Sequence, residues 1–268
     1  MKKYLHVIGI GFQNNLQYRT NFLARTLFSF IPLFAMVSLW QTIYAGNQAA
    51  GTRNGFTLAE IIFYYLLVAV VDVFSSVNDD DWQIAADIRE GNISQFLLKP
   101  IDYLWYRLCL FFSGRMAYVL MAIIPLTIFI FCFRGYFVAP VNQTALVLFP
   151  ISLFLTALLQ FFISYAMAML AFWFLEISTF IFIVFAFEFV ASGHLFPLDM
   201  LPPLLKQILF FTPFPYELYF PIAIYMGKVT GADLWSGLII QCAWVLTAYA
   251  FARFMWARGL KKYSAFGG

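Results

Sequence analysis

Residues 79–103, DDDWQIAADIREGNISQFLLKPIDY, form the longest strongly charged island in an otherwise apolar chain. The island holds Asp79, Asp80, Asp81, Asp87, Glu90 and Asp102, six of the thirteen acidic residues. Apolar stretches of membrane-spanning length lie on both sides of it. A charged loop with its own helical pattern, held between two spans, reads as a surface for a soluble partner. Asn78 to Asp81 can cap a helix and put acids at its positive N-terminal end. Trp82, Ala85, Ala86 and Arg89 share one side of that helix, and Gly91 is placed to stop it. A second short element over 94–99 presents Phe96, Leu97 and Leu98 and must end before Pro100. Asp102 is positioned to cap the long helix that follows.

The rest of the chain sets the context. Of 268 residues, 63% are hydrophobic and 11% charged, against about 25% charged in soluble domains. With a mean hydropathy of +0.83, this is the composition of an all-α polytopic membrane protein, long enough for one membrane domain over 1–268. The net charge of +3 gives no support for a nucleic-acid partner. Cys109, Cys132 and Cys242 are odd in number and share no close spacing, so neither a disulfide frame nor a metal site is suggested. The N-terminal stretch has a short, broken apolar core and does not read as a signal peptide.

Hydropathy places six spans near 24–44, 58–77, 107–132, 146–173, 177–194 and 234–255. Residues 1–22 read as an amphipathic helix lying in the membrane interface, with Tyr4, Leu5, Ile8, Phe12, Leu16 and Val7 at spacings of three and four. Residues 195–233 hold six of the eleven prolines and two apolar stretches too short to cross, about 203–211 and 215–226. Irregular backbone at membrane depth is tolerated only when buried in protein or facing a cavity. This segment is therefore expected to be a re-entrant or interfacial hairpin on the outer side. Twelve of the sixteen Lys and Arg residues fall on the side of the termini and the island. Both termini and the island are then cytoplasmic, in a cell (inner or plasma) membrane.

Several ionisable groups lie inside the spans, where charge is costly and function is the default suspicion. Asp72 is expected in the inner half of the second span and to pair with Arg115 of the third. Glu188, in the outer half of the fifth, lacks an obvious basic partner; it is a candidate to line the substrate path and bind a cationic substrate, to face the subunit interface, or to sit protonated. Phe185 and Phe189 share its aromatic run and are candidate cavity walls. His194 is expected as a polar cap at the outer boundary. Glu217 is expected to be solvated or capping, with a gating role as the functional alternative.

Three segments in register resemble one family. DIREGNISQFLLKPID (87–102) looks like the Arg-x-Gly…Leu-Leu-x-Pro loop of ABC-2 type permeases. FPLDMLPPLLKQILFFTPFPYELYFPIAIYMGK (196–228) resembles their outer Pro-rich hairpin, and RGLKKYSAFGG (258–268) their basic Tyr–Gly-Gly ending. Ser94 departs from the pattern, since an acid often stands there in relatives; a hydroxyl can still cap the second element.

The resemblance implies the permease subunit of an ATP-binding cassette exporter. Such subunits pair, as homodimer or heterodimer, and each docks a cytoplasmic ATPase. The coupling helix would be 82–91, and Asp81, Trp82, Ala85, Asp87, Ile88, Arg89, Glu90, Gly91, Phe96 and Leu97 would contact the ATPase. The chain has no Gly-x-x-x-x-Gly-Lys-Ser/Thr loop, so ATP and Mg would bind on that partner, and no cofactor is expected on this chain. The cargo implied is lipophilic or amphipathic. An ion-coupled secondary transporter is the alternative, although no convincing inverted repeat is evident. An intramembrane lipid-modifying enzyme would need a clustered acid or His/Asp constellation, and His6 and His194 are expected at opposite faces.

Overall fold

The computed structural model describes residues 2–17, 19–45, 55–77, 80–139 and 143–263. Asn78 and Asp79 of the expected cap, much of the first outer loop, Pro140 to Asn142 and the Gly-Gly ending lie outside the described residues.

The described chain is helical: α1 (Lys2–Gln17), α2 (Arg19–Ala45), α3 (Leu58–Ser75), α4 (Asp80–Arg89), α5 (Ile93–Leu97), α6 (Tyr103–Cys132), α7 (Gln143–Ala168), α8 (Ser178–Ala191), α9 (Pro203–Phe210), α10 (Tyr219–Tyr225) and α11 (Gly231–Lys262). Among these residues four helical stretches are long and apolar enough to cross a membrane: α3, α6, α7 with its 3-10 extension to Phe172, and α11. Their ends follow local rules. Thr57 and Glu60 form a reciprocal capping box on α3, and the Asp102 side chain accepts from Trp105 N at the start of α6.

The fifth expected span is shorter than the sequence suggests. α8 has 14 residues, about 21 Å at 1.5 Å per residue, against about 30 Å of bilayer hydrocarbon. Beyond it the chain is held alongside α3. Tyr64 Oη donates to Gly193 O at 2.7 Å, and Tyr65 Oη donates to Leu195 O at 2.7 Å. Gly193 has φ +97°, and a Cβ there would sit 2.7 Å from Tyr64 Oη. Only glycine fits both the dihedral and the space.

The Pro-rich segment then folds back into the bundle. α9 is amphipathic and largely exposed, while a 3-10 turn at Phe214–Glu217 and α10 are buried. The Tyr216 and Glu217 carbonyls meet α7 at Thr156 and Gln160. Thr156 is 13 residues from the start of α7, about 20 Å along its axis. A ladder of uncharged polar groups satisfies this broken backbone. Gln241 of α11 donates to Tyr216 O at 2.9 Å and to Ser152 O at 3.1 Å, while Ser152 Oγ donates back to Gln241 Oε1 at 2.9 Å. Buried main-chain polar groups need such partners. At the far end, Gly227 with φ +67° stops the segment. Lys228 Nζ then reaches Glu60 Oε1 at 2.9 Å, tying the hairpin to the first turn of α3.

The N-terminal helix lies along α6. Ser113 Oγ donates to Ile8 O at 3.0 Å, and buried Gly11 packs against Ser113. Tyr4, Val7, Ile8 and Phe12 face this contact, but Leu5 and Leu16 are exposed. The three-four spacing therefore marks the right face, with Gly11 taking the place of a larger apolar residue because the two helices approach closely.

Candidate functional site: a braced loop and an acid-lined cavity

α4 is seated by one face and presents the other. Ile84, Ala85 and Ile88 are buried in a core with Tyr165, Met169 and Phe172 at the far end of α7. Ala85 and Ile88 are thus corrected from partner contacts to seat residues: burial of their side chains holds α4 down and leaves nothing to offer outside. Asp87 is also committed inward. Its Oδ2 accepts from Tyr103 Oη at 2.7 Å and pairs with Arg107, whose guanidinium is buried in α6. Arg89 Nη1 donates to Leu175 O at 3.1 Å.

The outward face is smaller than the full set of named residues. Trp82 is 40% exposed, Leu97 52% and Leu98 89%, and Glu90 and Gln83 are exposed beside them. Leu98 stands out as the sequence suggested, and Gln83 adds to that surface. Phe96 is partly buried, edge-on to Tyr103 at 5.1 Å, so it braces α5 rather than presenting itself. Ser94 does not cap α5, which lacks a side-chain cap; its Oγ pairs with Tyr263 Oη at 2.9 Å. The same phenol donates to Gly91 O at 2.9 Å. Glu176, in the turn between α7 and α8, accepts from Ser178 N at 2.8 Å, and the Ser178 contacts hold its carboxyl below the usual range.

The second feature is a cavity of about 130 Å³ between α3, α4, α7 and α8, with Asp72, Asp81, Glu188, His194 and Glu217 in its wall. The expected Asp72–Arg115 pair is not what forms. Asp72 Oδ1 contacts His194 Nε2 at 3.0 Å, while Arg115 Nη1 donates to Ser76 Oγ at 3.1 Å. Arg115 also lies over the Phe111 and Tyr118 rings, which hold it one turn past Asp72. His194 is corrected in the same way. It is paired rather than a lone polar cap: the chain past α8 lies along α3 and brings the imidazole to Asp72. Ser192 Oγ and the Phe189 ring hold its other nitrogen and its face.

Glu217 is corrected from a solvated residue to a fully buried one, with 0% exposure. It lies beside the Glu188 carboxyl, yet no hydrogen bond of ordinary geometry reaches either of its oxygens. An adjoining groove of about 410 Å³ shares Asp72, Ser76, Val77, Phe185 and His194 with this cavity, and adds Phe189, Leu33, Met36 and Val68. Phe185, Glu188 and Phe189 of α8, together with Glu217 from a distant part of the chain, thus border two connected spaces. Sequence reasoning missed Ser152, Thr156, Gln160 and Gln241, which position Glu217. The signal was a polar residue every fourth position in an uncharged span.

A family model for ABC-2 family transporter proteins matches residues 30–267. The chain belongs to that family, whose members are membrane-embedded transport subunits of ABC transporters. A comparison with curated proteins finds none that matches.

Proposed function

We propose that the chain is the permease subunit of an exporter driven by ATP hydrolysis on a separate ATPase, which moves a lipophilic or amphipathic compound outward. The observation that carries this reading is the outward face of the α4–α5 loop. Trp82, Glu90, Leu97 and Leu98 stand exposed on a loop whose opposite side is buried in α6 and α7. A rigid mount with a mixed aromatic, apolar and acidic face suits a docking surface that must also transmit force.

On this reading 1–268 form one membrane domain with six spans, α2 and α8 serving as the first and fifth. The 195–233 segment is re-entrant from the outer side, and both termini and α4 are cytoplasmic in the cell membrane. α8 buries only Ala191 within the chain. Its exposed phenylalanines fit a second permease subunit, identical or related. ATP and Mg stay on the ATPase.

Co-purification tests the proposal. The tagged chain should bring down an ATPase chain encoded beside it, and the pair should show vanadate-sensitive ATP hydrolysis. Purification without any ATPase, or hydrolysis indifferent to this subunit, would overturn it. Ion-coupled transport is the second reading, favoured by one observation: an interrupted helix beside buried carboxyl groups, as in transporters with broken spans. It expects uptake or efflux to follow an imposed proton or sodium gradient with no ATPase present.

A further inference from the structure

The cavity between α3 and α8 is unbalanced in charge. Asp72, Glu188 and Glu217 contribute three carboxyl groups from three different elements, against one imidazole, His194. Neither lysine nor arginine lines it among the described residues. Asp72 and His194 satisfy each other. Glu188 and Glu217 face each other carboxyl to carboxyl, and no donor from the rest of the described protein reaches the fully buried Glu217 oxygens. A buried carboxylate without a counter-charge is expensive, and here the backbone around it is held by the Thr156, Gln160 and Gln241 contacts, so it cannot turn away.

We infer that Glu217 and Glu188 form a subsite for a positively charged head group, and that the adjoining aromatic groove takes the apolar remainder of the same molecule. The dimensions agree. The space of about 130 Å³ beside the carboxyl groups is about a third the size of the adjoining groove, and on this reading takes the head while the groove takes the tail. The groove of about 410 Å³ is walled by Phe185, Phe189, Met36 and Val68, and aromatic faces favour cations and alkyl chains alike. The ligand class is an organic amine or quaternary ammonium with an apolar tail. This inference rests on the transport reading and deepens it from "amphipathic" to "cationic amphiphile".

The test uses the full chain in lipid nanodiscs, without ATPase, and a dansyl-tagged decylammonium ion as probe. Its N-acetylated, uncharged counterpart is the control. Saturable binding of the ammonium probe is expected. Glu217→Gln and Glu188→Gln should each raise its Kd at least tenfold, while Glu176→Gln leaves it unchanged. The acetylated probe should bind at least tenfold more weakly and ignore all three substitutions. Equal binding of the ammonium probe to wild type and both cavity variants overturns the inference, as does equal affinity for the acetylated probe. If the variants do not fold, carbodiimide labelling of the wild type decides. The ammonium probe, and not the acetylated one, should slow modification of Glu188 and Glu217; unchanged rates overturn the proposal. Because no ATPase takes part, failure here leaves the co-purification test of the transport reading untouched.

Discussion

Tyr263, just past the end of α11, donates its phenol to the carbonyl of Gly91, which closes α4 172 residues earlier in the chain. The same oxygen pairs with Ser94 in α5. One side chain therefore joins the C-terminal helix to both short helices of the charged loop. Tyr263→Phe removes both contacts and keeps the ring against Phe172. The expected result is faster amide exchange over 90–97, with a stability loss of about 1 kcal/mol, read by hydrogen exchange and thermal melting.

The two faces of α4 should separate experimentally. Asp87→Ala strands the buried Arg107 guanidinium, and breaking such a pair from one side costs about 3 kcal/mol; melting temperature and yield should fall. Trp82→Ala and Leu98→Asp change side chains on the exposed face, so melting should move far less than for Asp87→Ala while ATPase co-purification is lost. The reverse pattern would show that the partner binds elsewhere.

Gln241 is the hub of the polar ladder under the hairpin. Gln241→Leu leaves Tyr216 O with one donor fewer and Ser152 Oγ without its acceptor. The expected cost is about 1–3 kcal/mol. Disulfide trapping between residues placed on α10 and α7 should become slower or heterogeneous, because the hairpin backbone loses its fixed depth.

Gly193→Ala meets two penalties, a left-handed backbone and an overlap with Tyr64 Oη. A strained dihedral of this kind costs about 1–3 kcal/mol. Combining it with Tyr64→Phe should recover only the part due to the overlap. Melting of the single and double variants distinguishes the two contributions.

Much of this architecture was legible because it follows from local chemistry. The apolar runs bounded α3, α6, α7 and α11 closely. Gly91, Pro100 and Asp102 punctuated the loop as expected, and the prolines of 195–233 marked irregular backbone. What escaped was set by tertiary approach. Hydropathy runs the fifth span through to His194, but Gly193, at φ +97°, stops α8 as Gly91 stops α4, and the tyrosines of α3 hold the chain there. The seat face of α4 is made of Ile84, Ala85 and Ile88, which alternate with exposed residues in a helix too short to reveal its buried side. Depth arguments put Asp72 beside Arg115 and set His194 apart from both. A broken fifth element brings His194 to Asp72 instead, and hydropathy does not register where a helix is broken.

α7 carries two seats close together: the hairpin rests on Thr156 and Gln160, and α4 on the turns around Tyr165 and Ala168. Five positions separate Gln160 from Tyr165, about 7.5 Å along one helix. The consequence is one of timing. A push on the charged loop and a shift of the carboxyl-lined cavity are not successive events relayed through a flexible chain. They are one movement of a single strut, so a state in which the loop has moved and the hairpin has not would have to bend α7 within two turns.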